Sequence, residues 1–145
     1  MLLVPHQFYQ ALCLKKLGKD AEAQALFDHI LCLKQDYFSN MHLPELPCWQ
    51  AMVYREMGLS APAQELIAAH LRRQEQALSA IDPGYNKTTP FFISYMEDAR
   101  TLREGGALWQ KAMAAFAAGN AEKAAEYAGA SLEKEPANLY AGLLQ

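Results

Sequence analysis

The sequence predicts an all-α fold of antiparallel helical hairpins, stacked as a short solenoid with long connections between the hairpins. Three observations lead there. One spacing pattern returns around Gly18, Gly58 and Gly119, in the stretches ALCLKKLGKDAEAQALF, AMVYREMGLSAPAQELI and AMAAFAAGNAEKAAEYA. Each stretch has Ala seven residues before the glycine (Ala11, Ala51, Ala112) and Ala five residues after it (Ala23, Ala63, Ala124). Finally, no stretch shows the two-residue alternation of a half-buried strand, although FFISY (91–95) could be extended.

The elements follow in order. A first helix is expected over 5–18 and a second over 20–33, with Gly18 between them in a left-handed C-terminal cap. A second pair is expected over 46–58 and 60–79 around Gly58. There Pro62 falls in a first turn, where its missing N–H does no harm. A third pair is expected over 97–118 and 120–134 around Gly119, its first helix broken at Gly105–Gly106, and a last partial helix starts near 137. Asp20, Ser60 and Asn120 are the expected N-caps of the second helices. Helices joined by so short a turn pack antiparallel, and the alanine columns fall where their backbones cross. Leu14, Tyr54 and Ala115 share a third column, Phe27, Ile67 and Ala128 a fourth, and Tyr9 and Trp49 a fifth in the first two copies. The small residues of AFAAGNAEKAAEYAGASLEKEP (115–136) are therefore expected to be contact positions.

Length and composition bound the function. At 145 residues with 52% hydrophobic and 20% charged residues, the chain fits one globular domain. A net charge of −3 argues against a nucleic-acid or anionic-membrane surface. The opening MLLVPHQ has no basic n-region and too short an apolar stretch for a signal peptide. Three cysteines make no disulfide framework and fit a reducing, cytoplasmic compartment. The abrupt start and the apolar ending LYAGLLQ suggest a piece of a longer chain, because a free-standing repeat protein normally ends in a polar capping element.

The repeated spacing resembles the tetratricopeptide repeat: small residue and aromatic in the first helix, Gly at the turn, then Ala, a large apolar residue and an exit Pro. Copy three matches at Ala112, Gly119, Ala124 and Pro136, with its large position reduced to Ala128. Copy one matches at Ala11, Leu14, Gly18, Ala23 and Phe27, and copy two at Ala51, Tyr54, Gly58, Ala63 and Ile67. Neither of these has the exit proline. The resemblance implies a short right-handed solenoid. The turns here lie 40 and 61 residues apart, against about 34 in a standard repeat. The surplus falls in KQDYFSNMHLPELP (34–47) and SAIDPGYNKTTPFFISYMEDAR (79–100), which prolines keep from being helical throughout. Aromatics at 81–95 fit either an interface anchor or a plug between helix pairs. The segment TPFFISYMEDARTLREGGALWQ also looks like the C-terminal repeat region of some large multidomain bacterial proteins. That likeness implies an accessory role beside a carbohydrate-related domain.

Nothing in the sequence reads as an active site, and no cofactor is expected. His6, His29, His42 and His70 with Cys13, Cys32 and Cys48 show no metal-ligand spacing. Cys13 and Cys32 lie in apolar helical stretches and are expected to be buried, inert thiols. No serine sits in a nucleophile motif, and acidic pairs such as Glu133–Glu135 read as solvated faces. Arg72, Arg73 and Arg103, near helix ends, suit either the helix dipole or an acidic partner.

The tetratricopeptide resemblance implies a concave groove lined by the first helices and occupied by a partner's peptide. By register its positions are Phe8, Leu12, Lys15 and Lys16 in copy one. Cys48, Met52, Arg55 and Glu56 follow in copy two, and Trp109, Met113 and Phe116 in copy three. They are mainly apolar, so the carboxylate-gripping role of some members is not expected. An apolar or amphipathic segment, edged by Lys16 and Arg55, fits better. The occupant is a partner protein, a neighbouring domain or the protein's own loop. The expectation is a non-enzymatic interaction module.

Overall fold

A computed structural model describes residues 3–36, 42–79 and 99–142. They form α1 (Val4–Lys16), α2 (Asp20–Cys32), α3 (Leu46–Glu56), α4 (Ser60–Ser79), α5 (Ala99–Ala117), α6 (Ala121–Lys134) and a single turn α7 (Leu139–Gly142). No strand occurs among the described residues. The FFISY stretch and the aromatic loop at 81–95 lie outside them.

The three turns are built alike. Gly18, Gly58 and Gly119 have φ of +71°, +77° and +82°. In each, the glycine N–H reaches back three residues and the following N–H reaches back five. Examples are Gly58 to Arg55 O at 2.9 Å and Leu59 to Tyr54 O at 2.8 Å. This pairing satisfies the last carbonyls of the first helix and turns the chain at once into the second. Pro5 and Pro47 open α1 and α3 in the first turn, where no N–H is needed.

The helix starts differ in part from expectation. Asn120 caps α6, its side chain accepting from Lys123 N at 3.0 Å. Asp20 instead lies inside α2, whose N-cap is Lys19 without a side-chain cap bond. Its carboxylate there complements the helix dipole in the first turn. Ser60 is likewise the first residue of α4. The expected break at Gly105–Gly106 is absent, for α5 runs straight through. Gly105 answers to packing: a Cβ there would stand 3.2 Å from the Cβ atoms of both Lys134 and Glu135, whereas one on Gly106 would meet nothing within 4 Å. Ser131 Oγ also donates to Gly105 O at 2.8 Å. Glycine lets the end of α6 approach the α5 backbone closely.

Each first helix packs on its own second helix. In addition, α3 packs on both α1 and α2, and α5 on both α3 and α4. The alanine columns occupy these crossings. Ala11, Ala51 and Ala112 are fully enclosed, and Ala23, Ala63 and Ala124 are nearly so. One core runs from Val4, Phe8 and Phe27 through Leu46, Trp49 and Val53 to Met113 and Ala117. A second, built on Ala112, Ala128 and Ala141, joins α5, α6 and α7. Of the small residues of 115–136, Ala117, Ala124 and Ala128 are contact positions as expected, whereas Ala118 and Ala121 are exposed.

Polar side chains tie successive hairpins together at matching places. Three residues before its turn glycine, Lys15 donates to Glu56 O at 2.9 Å in the next hairpin and pairs with the Glu56 carboxylate at 3.3 Å. Arg55, in the same register position of the second hairpin, donates to Ala117 O at 2.6 Å in the third. Both acceptors are carbonyls two residues before a turn glycine, at a helix C-terminus where positive charge is favoured. Gln50 closes the end of α2, donating to Ile30 O at 3.1 Å and Leu33 O at 2.9 Å.

Candidate functional site

The residues expected to line the groove divide into two groups. Phe8, Met52 and Met113 are buried in the main core, and Leu12, Trp109 and Phe116 are half-buried against it. Phe8 packs on the Trp49 ring, centroid to centroid 5.8 Å. Lys16 is exposed, while Arg55 holds Ala117 O across the hairpin boundary. The shared column of Tyr9 and Trp49 is unequal, 49% against 7% exposed. The line of first helices is thus largely a packing seam, with Leu12, Trp109 and Phe116 its accessible apolar part.

Two open hollows lie elsewhere, between each second helix and the next hairpin. The first, about 330 Å³, is lined by Leu31, Gln50, Tyr54, Pro62, Glu65, Leu66 and Ala69. The second, about 360 Å³, is lined by Ile67, Leu71, Glu75, Lys111, Ala114, Ala115, Ala118, Asn120, Lys123 and Tyr127. Counted from the turn glycines, five wall positions coincide: Leu31 with Leu71, Gln50 with Lys111, Tyr54 with Ala115, Pro62 with Lys123, and Leu66 with Tyr127. The hollows are the same place in successive repeats. They differ in chemistry, because Gln50 is committed to the end of α2, whereas Lys111 and Lys123 form no ion pair with a described residue.

A buried polar cluster joins the second and third hairpins. His70 on α4 is 1% exposed and Gln110 on α5 6% exposed. Among the described residues, His70 Nε2 and Gln110 Oε1 are without a hydrogen-bond partner, as is Trp49 Nε1. Burial, with Arg73 second, holds the His70 pKa down at about 4, and the Gln110 side chain opposes this in part. Burial also raises the Glu45 carboxyl, opposed by its backbone hydrogen bond and by Gln110. The Cys48 thiol is pushed far up by burial and then by the Glu45 charge, offset only in part by Arg73. Arg73 in turn donates to Gln35 Oε1. A thiol so held stays protonated and is a poor nucleophile, and no hydrogen bond links it to His70 among the described residues.

His70 stands twelve residues after its turn glycine. The same position holds Ile30 in the first hairpin and Ser131 in the third, all fully buried. Extending the repeat columns by this one position marks His70 as an interior polar residue, a signal that the composition of histidines and cysteines does not carry.

Cys13 and Cys32, expected to be buried, are exposed, and Cys48 alone is enclosed. The position of Cys13 corresponds to Val53 and Ala114, which are buried in α3 and α5. Those two face the preceding hairpin, and among the described residues none precedes α1 to cover the same face. His29 bonds to Gln7 Oε1 at 3.2 Å across the first hairpin. No group of three or more His, Cys, Asp or Glu among the described residues is placed to hold a metal ion. No helix there is long and apolar enough to cross a membrane. No protein-family model, curated protein or solved structure matches the chain.

Proposed function

We propose that the chain is a tetratricopeptide-like, right-handed repeat module without catalytic activity of its own. It serves to bind a protein or peptide, or a neighbouring domain, along its stacked hairpins. The observation that carries this reading is the equivalence of the three hairpins in three dimensions. The two alanine columns are buried in all three, the same two hydrogen bonds close each turn, and the hollow between successive hairpins recurs at the same positions. Repeats of this kind create extended surfaces, and their use is recognition. The buried titratable groups agree with it, since burial keeps the Cys48 thiol protonated and the lowered pKa makes His70 a weak base.

Photo-crosslinking residues placed at Leu12 and Phe116, with exposed Gln64 as the control position, test the reading in extract of the source cell. Discrete protein adducts from Leu12 and Phe116, and none from Gln64, are expected. Equal or absent adducts at every position would overturn it.

A further inference from the structure

We propose that the hollow between α4, α5 and α6 is the docking site of a short acidic, amphipathic segment of a partner protein. The proposal rests on the reading of the chain as a protein-binding repeat module and names the surface and the chemistry of what binds. The floor is apolar and shallow-sided, because Ala114, Ala115 and Ala118 leave space that Ile67 and Leu71 line from α4. A hollow of about 360 Å³ accepts one or two large apolar side chains. Its rim carries Lys111 from α5 and Lys123 from α6, both without an ion-pair partner among the described residues.

Register makes the rim informative. The corresponding positions of the first hollow are Gln50, spent on capping α2, and Pro62, which carries no charge. That hollow contains one charged residue, Glu65. The fold therefore supplies the same cavity twice, and the residues at two matching positions make only the second one basic. In a chain of net charge −3 this basic rim is a local exception. Glu75 on α4 still leaves a net positive lining. A bound segment would set its acidic side chains at the lysines and an apolar side chain on the alanine floor. Complementary charge across such a rim chooses the partner and its register, while the apolar floor supplies the contact area.

Selection of short random peptides displayed on phage, against the whole chain at low salt, tests the proposal. The best binders are then measured as fluorescein-labelled synthetic peptides. Enriched peptides should combine large apolar residues with Asp or Glu. Affinity should fall roughly tenfold for each of Lys111→Glu and Lys123→Glu, and should weaken as salt is raised. Lys111→Gln and Lys123→Gln give the same order of effect without charge reversal, and thermal melting confirms that each variant is folded. Peptides free of acidic residues, or bound equally by the charge-reversed chains, would overturn the inference while leaving a protein-binding module in place. Failure to enrich any peptide would overturn both.

Discussion

The Arg55 guanidinium lies directly over the third turn, so the same substitution should cost different amounts at equivalent turns. Gly58 and Gly119 share a left-handed backbone, and Ala there carries a strain of about 1 kcal/mol in either case. A Cβ at Gly58 meets nothing within 4 Å, so strain is the whole cost of Gly58→Ala. A Cβ at Gly119 would stand 2.5 Å from Arg55 Nη2 and 3.0 Å from its Cζ. The guanidinium is the far end of a flexible side chain, so it moves aside rather than jamming. Moving it breaks the bond from Arg55 Nη1 to Ala117 O, which is 2.6 Å long. A charge-assisted bond with access to solvent is worth about 1–2 kcal/mol. Gly119→Ala should therefore cost about 2–3 kcal/mol against about 1 kcal/mol for Gly58→Ala. In an Arg55→Ala background the bond is already gone, and Gly119→Ala should fall back to about 1 kcal/mol. Urea denaturation followed by circular dichroism measures all four corners of the cycle, with unchanged m-values as the check on comparability. Equal costs at the two glycines, or a Gly119→Ala cost indifferent to Arg55, would refute the link between the turn and the neighbouring hairpin.

Three further outcomes are expected. Ala112→Leu, at a fully enclosed crossing, should destabilise by about 1–3 kcal/mol through overpacking, read from thermal or urea midpoints. His70 is held neutral in the fold with a pKa near 4 against an ordinary 6.5. Its contribution is therefore intact above pH 6.5 and declines by up to about 3 kcal/mol as pH falls to 4. His70→Leu should remove that slope, which appears as the difference between the two urea midpoint–pH curves. A thiol reagent should label Cys13 and Cys32 quickly in the folded chain, and Cys48 only once it unfolds.

Much of the fold is legible because a repeat states each packing rule three times. Ala11, Ala51 and Ala112 mark one crossing, and agreement among copies outweighs the weak propensity of any single stretch. The interior of each hairpin was readable for that reason. What a column cannot reveal is which neighbour a residue has. Cys13 matches two buried positions and is exposed, because the matching face of α3 and α5 is covered by the hairpin before. Tyr9 and Trp49 differ in the same way. The helix through Gly105–Gly106 defeats a propensity argument, since close approach by Lys134 and Glu135 favours glycine where isolated-helix energetics disfavour it. At the candidate site, the apolar seam of first helices was visible as a stripe. Its burial followed from contacts between hairpins that are far apart in sequence. The lysines around the second hollow come from α5 and α6, and only the turn brings them to one rim.

The ties made by Lys15 and Arg55 give the stack a polarity. The first hairpin donates through Lys15, and the third accepts at Ala117 O but has Phe116 where its own donor would be. The second hairpin has both halves engaged, Arg55 as donor and the Glu56 carbonyl as acceptor. It has the two unlike ends of a chain-growth monomer, whereas the third hairpin lacks the donor that would extend the ties. A duplication of the second hairpin would keep every tie in phase, and a duplication of the third would leave one junction unfastened. An added copy in such a stack thus stays fastened only where Lys or Arg stands three residues before its turn glycine.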